Sequence, residues 1–326
     1  MLLSDLTGIF PCVDINVIEL TDIASDKINI SLIVEGNAVF QDSFDVVDGK
    51  VSVHGLGDVI YIHSMDRIAM NCNLSVSDKD NVSLSSYSFT AVACLVHTMG
   101  PVSLSDRFLS ACDSYICPPG ARFSVAAVGE DLIVDDDGNI ASLKYKAGNL
   151  DNVVLCSDLS GRAAVYDFNL PETPGVYTLR LNGRSLTVIV ADMGAPHVIS
   201  CRNMFNAPEF IYINAEVSIA NSRESQNAVI AGELQEYDVK TSATFEFSAK
   251  HVSYLEQQPL MLLAAAHDFH IDSVPVIMSD FKAKCSDDSL DLYECSFNAR
   301  FRRNMIIFST VDPHKIFKSP FNLTFD

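Results

Sequence analysis

The residues with the clearest capacity for chemistry stand near the C-terminal end, in the run His267-Asp268-Phe269-His270, with Asp272 two positions later. Apolar and alanine-rich residues before this run predict a helix that ends here. Two imidazoles three residues apart on a helix could share a metal ion. The sequence places no third ligand beside them, and cationic histidines also favour helix C-termini without a metal. We therefore assign no metal and no cofactor, and the ligand role of His267 and His270 stays open.

Other candidate motifs lack the residues that their chemistry requires. The acidic run from Asp135 to Asn139 resembles part of a calcium loop but does not keep the EF-hand ligand pattern, so it predicts a β-turn. There is no Gly-x-Ser-x-Gly elbow, phosphate loop or dinucleotide fingerprint. Isolated histidines are best interpreted as packed or surface imidazoles, namely His54, His63, His97 and His251. We predict no catalytic residues and a protein that is not an enzyme.

The nine cysteines are scattered and odd in number, with no Cys-x-x-Cys pair; they stand at positions 12, 72, 94, 112, 117, 156, 201, 285 and 295. Several lie inside apolar strand patterns. Since free cysteine packs as a small hydrophobic residue in reducing compartments, the pattern predicts buried thiols.

Charge limits the choice of partner. Lys and Arg number 22 against 42 Asp and Glu, which gives a net charge of −20. A phosphate backbone would be repelled, so we expect no nucleic-acid partner. The N-terminal residues carry no Lys or Arg before Lys27, unlike a secretory signal, and no apolar run is long enough to span a bilayer. We expect a soluble protein made in the cytoplasm, with no membrane partner.

Strands predominate among the elements that position these residues, and the clearest signal is the stretch from Gly175 to Asp192. Its centre, Asn182-Gly183, favours a two-residue type I′ turn. That turn sets one register: Leu181 faces Arg184, Leu179 faces Leu186 and Tyr177 faces Val188. The preceding proline-rich corner followed by Tyr177 is typical of the last hairpin of immunoglobulin-like sandwiches. With five or six short strands before it, residues 118–192 predict a reduced immunoglobulin-like sandwich.

Two further modules flank this sandwich. Residues 1–100 predict a β-rich module with a turn at Asp48-Gly49 and a short helix beginning at Leu56. Residues 101–117 predict a linker with a short helix capped by Ser103 or Ser105.

The C-terminal module, residues 193–326, predicts several strands and one helix. Its first long strand should end in a polar loop from Asn221 to Gln226. The helix should be capped by Ser253, and Pro259 should kink it or delay its start. The fold class is mainly β: tandem β-sandwich-like modules, the middle one immunoglobulin-like, with an α+β C-terminal module.

Spaced residues of the C-terminal third form a pattern. It opens with an Asn-Phe-Asn-x-Pro-Glu type motif and continues through a Tyr-Asp-Val strand, a Ser-Tyr helix start and a Pro-Val-x-x-x-Asp strand. The residues that carry it are Phe205, Asn206, Pro208, Glu209, Tyr237, Asp238, Val239, Tyr254, Pro275, Val276 and Asp280. This pattern resembles that of a family of uncharacterised proteins encoded in prophages and phage-derived clusters of gut bacteria. The segment 31–60 is similar to the family's first module, so the likeness covers about half of the chain.

The resemblance implies a structural or adaptor protein of a phage tail or tail-like particle, without catalytic residues. Its partners would be other protein subunits, with self-association as one form, and its destination a virion or tail-like particle. The alternative is a surface-type binding protein that recognises a glycan or a host protein through its sandwich domains. The lack of an export signal favours the first hypothesis, and the absence of Trp is unfavourable for a sugar-stacking platform.

Overall fold

The computed structural model describes residues 6–64, 67–94, 96, 104–129, 143–147, 150–154, 158–160, 163–230, 232–284 and 293–302. These form three β-rich units. Within the described ranges, no helix combines the length and apolar character needed to cross a bilayer.

The N-terminal unit is a five-stranded sheet covered on one face by a strand pair and a helix. Its elements are β1 (Gly8–Pro11), β2 (Val17–Leu20), β3 (Lys27–Val34), β4 (Asn37–Asp45), β5 (Val51–His54), α1 (Leu56–Ile62), β6 (Ala69–Asp78) and β7 (Ser83–Val92). The sheet order is β1-β7-β6-β3-β4, and β2 pairs with β5. Alternate apolar residues of β3 are buried against the β2–β5 pair and α1. The predicted Asp48-Gly49 turn and the short helix are both confirmed.

Gly57 explains how closely α1 packs against the start of the chain. A Cβ atom at this position would lie 2.0 Å from the carbonyl oxygen of Cys12. Only glycine allows this approach, so the helix rests directly on the backbone of the 3₁₀ turn Cys12–Ile15.

The middle unit is an immunoglobulin-like sandwich. Its strands are β8 (Ser114–Cys117), β9 (Arg122–Val128), β10 (Leu143–Ala147), β11 (Leu150–Val154), β12 (Asp158–Ser160), β13 (Ala163–Asn169), β14 (Gly175–Leu181) and β15 (Arg184–Val190). One sheet has the order β11-β10-β14-β15-β8 and the other β12-β13-β9. These correspond to the C-F-G and D-E-B arrangements of immunoglobulin domains, with extra edge strands.

Local sequence signals fixed the closing hairpin of this sandwich. The register of β14 and β15 is the predicted one, with Leu179 opposite Leu186. Asn182 and Gly183 both have positive φ, as a type I′ turn requires. Tyr177 donates a hydrogen bond from its hydroxyl to the carbonyl oxygen of Thr173, at 2.8 Å. This contact is the tyrosine corner of immunoglobulin-like domains.

The segment predicted as a linker contributes to the sandwich. Within residues 101–117, strand β8 pairs in parallel with β15, and Phe108 lies in the core of the sandwich. The sandwich therefore has eight strands among the described residues and is not reduced. The short helix expected here is only a 3₁₀ turn, Leu104–Asp106, and Ser103 lies outside the described residues. The domain boundaries themselves stay a prediction.

The C-terminal unit is a seven-stranded sheet with one helix. Its elements are β16 (His197–Arg202), β17 (Pro208–Ile213), β18 (Glu216–Ile230), β19 (Glu233–Val252), α2 (Tyr254–Leu262), β20 (His267–Ile271), β21 (Val274–Lys284) and β22 (Tyr293–Phe301). The sheet order is β17-β16-β20-β21-β22-β19-β18.

One prediction for this unit is wrong and another is confirmed. The expected polar loop from Asn221 to Gln226 is instead the middle of β18, because its backbone pairs with β19 although its side chains are polar. The helix cap is as predicted: Ser253 accepts a hydrogen bond from the Glu256 amide, and the Glu256 side chain accepts from the Ser253 amide. Pro259 lies inside α2 without delaying its start.

Candidate functional site

His267 and His270 lie on strand β20, so the helical arrangement expected for them is wrong. The 3₁₀ turn Leu263–Ala265 ends the helical segment before them. His267 Nε2 lies 3.2 Å from Asn206 Oδ1, whereas His270 Nδ1 lies 3.2 Å from the Asp268 carbonyl oxygen. Burial, followed by the nearby Arg202, lowers the pKa of His267. Among the described residues, no three His, Cys, Asp or Glu side chains come together as a metal site would require.

The densest buried polar network surrounds the loop that joins β16 to β17. We call this network the joint and define it by Asn203, Asn206, Glu209, Tyr115 and Arg67. These residues come from all three units of the chain. Each is held by hydrogen bonds to residues distant in sequence, so the joint connects the units.

Asn203 organises the loop and reaches the segment before β8. Its Oδ1 accepts hydrogen bonds from the amides of Phe205 at 2.9 Å and Ala207 at 3.2 Å, which closes the loop as an Asx turn. Its Nδ2 donates to the Leu109 carbonyl oxygen at 3.0 Å and to Glu209 Oε2 at 2.7 Å. Both the oxygen and the nitrogen of this buried side-chain amide therefore have hydrogen-bond partners.

Glu209 is a fully buried carboxylate that receives three donors. Besides Asn203, these are the Tyr115 hydroxyl, which contacts Oε1, and the Ala111 amide, 3.3 Å from Oε2. Burial raises the pKa of Glu209, although all three hydrogen bonds oppose that shift. The Tyr115 oxygen also accepts from the Cys112 amide at 3.2 Å, and burial beside Glu209 raises the pKa of Tyr115. The middle and C-terminal units are thus joined by a charge-assisted network.

Asn206 connects the C-terminal unit to the N-terminal one. Its φ of 59° lies in the left-handed region, which Asn tolerates better than most residues. Its Nδ2 donates to the Arg67 carbonyl oxygen at 2.8 Å, and its Oδ1 faces His267. Arg202 Nη1 donates to its carbonyl oxygen at 3.1 Å. One residue therefore contacts two units at once.

An apolar cluster lies beneath these polar contacts and is shared by the three units. Phe205 belongs to the loop itself. It packs among residues of β7, β9, β13 and the 3₁₀ turn Leu104–Asp106. The buried members are Ile68, Ala69, Val92, Cys94, Leu104, Leu109, Ala126, Val128, Ala163, Phe205 and Ala207. Because burial of apolar surface is favourable, this shared core holds the units against one another.

A second set of contacts connects the middle and C-terminal units. The Tyr212 hydroxyl donates to the Arg122 carbonyl oxygen at 2.6 Å, and the Arg122 guanidinium lies 4.9 Å from the centre of the Phe210 ring. Arg122 also pairs with Asp167. Cation–π and hydrogen-bond contacts of this kind reinforce the joint from the β17 side.

His197 and Asp272 form a buried pair. Their residue types occur in catalytic dyads, but their burial gives this pair a structural role. His197 Nδ1 lies 2.7 Å from Asp272 Oδ2, and Asp272 Oδ1 accepts from the Val198 amide at 2.7 Å. Both side chains are almost completely buried, and the His197 ring packs edge-on against Phe247. The pair anchors the turn between β20 and β21 to β16.

Seven of the nine cysteines are described, and the prediction that they are buried free thiols is confirmed for all seven. Burial raises the pKa of each thiol, to about 12 for Cys12, Cys72 and Cys112 and to about 11 for Cys295. The direction is the same for Cys94, Cys117 and Cys201. Thiolates are therefore disfavoured at neutral pH, and these cysteines are unreactive. Cys156 and Cys285 lie outside the described residues.

The other candidate residues come together in no common site. His54 is exposed on β5, and His63 Nδ1 lies 2.9 Å from the Val59 carbonyl oxygen. His251 belongs to β19. The Asp135–Asn139 turn and His97 lie outside the described residues.

Sequence reasoning missed Asn203, Tyr115 and Arg67 as members of the joint. Their partners lie far away along the chain, which no local pattern reports. One signal was present: two asparagines flank Met204-Phe205 between two apolar strands, and asparagine favours Asx turns and left-handed backbone.

The residues on which the predicted resemblance rests lie in several parts of the C-terminal unit. Asn206 and Glu209 belong to the joint, and Phe205 lies in the apolar cluster that the three units share. The others mark irregular or terminal positions in strands and in α2: residues 237–239 lie at a bulge in β19, Tyr254 begins α2, and Asp280 has a φ of 51° at a register shift in β21.

No protein-family model matches the chain, and no curated protein matches it either. Among solved structures, dimeric latent PorU from Porphyromonas gingivalis is similar over 69% of this chain and 28% of its own, with 11% identity and a TM-score of 0.23. The plexin A4 extracellular region, domains 1 to 8, is similar over 86% of this chain and 37% of its own, with 8% identity and a TM-score of 0.21. The chain thus spans about a third of these structures, and similarity at this level carries no functional argument.

Proposed function

We propose that this chain is a non-catalytic structural or adaptor protein that makes protein–protein contacts, in a phage tail or tail-like assembly. The observation that supports this most directly is the joint. Among the described residues, this buried polar network connects three β-rich units, and its carboxyl and phenol groups are buried away from solvent. A chain built in this way presents several β surfaces in a fixed arrangement, as a subunit of a larger particle requires.

The assembly role can be tested on particles from the bacterium that encodes the gene. After prophage induction, tail-like particles are separated from free protein on a density gradient and probed with an antibody against this chain. We expect the chain to co-sediment with the particles and to remain bound after a high-salt wash. Recovery only in the free-protein fractions, with no particle-associated signal, would contradict the proposal.

One observation favours the alternative function, glycan recognition. A cavity of about 530 Å³ on the N-terminal sheet is lined partly by neutral hydroxyl and amide side chains, among them Thr7, Asn71, Asn73 and Ser88. Such groups donate and accept hydrogen bonds with sugar hydroxyls without a charge. Binding on a glycan array that is lost in an Asn73→Ala variant, by a chain that is strictly monomeric, would support this alternative over assembly.

A further inference from the structure

The longest hairpin of the protein extends beyond the sheet that carries it. Strand β22 pairs with β19 only from Thr244 onward, opposite Arg300. Among the described strands, β18 and β19 pair only with each other beyond that point, over residues 221–230 and 233–243. We call this segment the outer ribbon. At about 3.3 Å per residue, its ten positions on β18 extend roughly 33 Å.

Along β18, both faces of the outer ribbon are open to solvent from residue 221 to 227. Consecutive residues of a strand point to opposite faces, and every residue from Asn221 to Asn227 is exposed. Near the tip, Val229 is 71% exposed and Leu234 is 72% exposed, and they stand directly opposite each other. A two-stranded hairpin without further packing is marginally stable in water. An exposed apolar pair on such a hairpin indicates a surface that another chain covers.

Among the described strands, β18 lies at the edge of its sheet, and this edge remains regular along the outer ribbon. Between the pairs Glu224–Lys240 and Gln226–Tyr237, β19 carries two residues and β18 only Ser225. The extra residue of the bulge is therefore on β19, and β18 is not bent away from a partner. Strand β18 also contains no Pro and no Lys, the residues that commonly block sheet edges.

Two long strands among those described lie at a sheet edge, β18 and β4, and the two edges differ in charge. Strand β4 carries Asp42 and Asp45 and no cation, so two copies of it would repel each other. In residues 219–229 of β18 the charges are Arg223 and Glu224, which cancel. In a chain with a net charge of −20, this edge therefore carries no net charge.

We infer that β18 pairs with β18 of a second copy, antiparallel and about a two-fold axis at Glu224. A two-fold axis perpendicular to the sheet keeps every side chain on its own face, so one residue must face its own copy. The run from Ile219 to Val229 reads I-A-N-S-R-E-S-Q-N-A-V, which is nearly the same in both directions. The resulting pairs are Ile219 with Val229, Ala220 with Ala228, Asn221 with Asn227, Ser222 with Gln226 and Arg223 with Ser225. An axis shifted to Arg223 would also oppose two like charges, and it would replace the apolar pair of Ile219 and Val229 by Ile219 against Asn227.

The backbone register defines which charged residues stand near the axis. Glu224 faces its own copy, and within each chain Lys240 is the residue opposite Glu224. Across the four strands of the dimer the order is therefore Lys, Glu, Glu, Lys.

The hydrogen-bonding direction of β18 agrees with this register. The two residues that flank a two-residue turn form a hydrogen-bonded pair, which here is Ile230 with Glu233. Every second residue of β18, counted from Ile230 towards the N-terminus, therefore points its amide at β19. The residues between them, including Asn227 and Val229, point their amides outward. These are the positions that the two-fold axis brings opposite one another. The pairing would join two seven-stranded sheets into one continuous sheet.

Cysteine cross-linking tests the register. In the dimer, Glu224 and its copy form a non-hydrogen-bonded pair with Cα atoms about 4.5 Å apart, which is suitable for a disulfide. Under mild oxidation, Glu224→Cys should migrate at twice the chain mass on a non-reducing gel. Gln226→Cys, equally exposed but about 13 Å from its copy along the strands, should not. Cross-linking of Arg223→Cys in preference to Glu224→Cys would overturn the proposed axis.

Sedimentation velocity over a concentration series tests the dimer itself. Wild-type chain should dimerise, and Asn227→Pro, which removes an outward amide, should raise the dissociation constant at least about tenfold. Val229→Asp should do the same, whereas Val176→Asp, at a site 61% exposed on β14, should leave it unchanged. Circular dichroism checks that each variant is folded. A wild-type monomer at about 100 µM, or a dimer that both β18 variants leave intact, would overturn the inference.

This inference rests on the proposed function, since self-pairing is one form of subunit contact. The two can fail separately. A monomeric chain that still co-sediments with tail-like particles refutes the β18 dimer alone.

Discussion

Replacement of Asn206 by alanine should weaken the contact between the N-terminal and C-terminal units. The change removes the hydrogen bonds to the Arg67 carbonyl oxygen and to His267, at about 1 kcal/mol each. It also places alanine at a φ of 59°, which costs about 1 kcal/mol more. The expected loss in the free energy of unfolding is therefore about 3 kcal/mol.

The same loss can be expressed as a change in melting temperature. An unfolding entropy of about 2.1 cal/mol/K per residue gives ~0.7 kcal/mol/K for this chain, so about 3 kcal/mol lowers the Tm by roughly 4 °C. Asn206→Gly is the matched control, since glycine accepts the left-handed backbone but also lacks both hydrogen bonds. It should lose about 2 kcal/mol and roughly 3 °C.

Differential scanning calorimetry measures both variants in one buffer. The expected order of Tm is wild type, then Asn206→Gly, then Asn206→Ala. A second, lower transition in the alanine variant would show that the N-terminal unit has become independent of the rest. An alanine variant within about 1 °C of wild type, with a single transition, would refute the role given to Asn206.

Three further predictions concern the joint, the hairpin and the thiols. Because burial raises the pKa of Glu209 in the folded state, its contribution to stability is present below its unfolded pKa of about 4.3 and is lost as pH rises through the folded value. The difference in unfolding free energy between wild type and Glu209→Gln should therefore fall as pH rises above about 4.3 in urea titrations, and a constant difference would contradict this. Asn182→Val should destabilise the fold by about 1–2 kcal/mol in urea while Asn182→Gly is tolerated, because valine is strained at a φ of 45°; equal stabilities would show that the turn does not set the register. Ellman's reagent should not label the seven described cysteines in the folded protein but should label them after denaturation. Mass spectrometry can check this, and rapid labelling of Cys12 in the folded protein would show that its thiol is accessible.

The elements that sequence predicted well are those whose signals are local. Asn182-Gly183 needs only its own backbone preference to set a register, and Ser253 with Glu256 needs only one turn of helix. Tyr177 follows its proline-rich corner within a few residues. In each case the residues that decide the structure are close together in sequence, so the pattern and the physical cause coincide.

The outer ribbon escaped prediction because its pattern carries no burial signal. Residues 221–227 are polar on both faces, which usually indicates a loop. They are nevertheless a strand, because their backbone hydrogen bonds are satisfied by β19 and both faces remain in solvent. His267 shows the opposite error: alanines before it favour helix, yet pairing with β16 places it on a strand. In both places pairing with another strand, and not the local apolar pattern, decided the structure.

The joint shows why perturbed pKa values alone do not identify an active site. Buried carboxyl and phenol groups with shifted pKa values often mark catalytic residues, since catalysis needs groups matched to a proton transfer. Glu209 and Tyr115 have such shifts, but they face each other and backbone amides at the contact between units. A substrate could reach them only if the units separated. Their hydrogen bonds instead join residues nearly a hundred positions apart, and the cost of burying a charge is offset by three donors and by the apolar core beneath them. These hydrogen bonds therefore hold the units together, and the pKa shifts of Glu209 and Tyr115 follow from their burial at that contact.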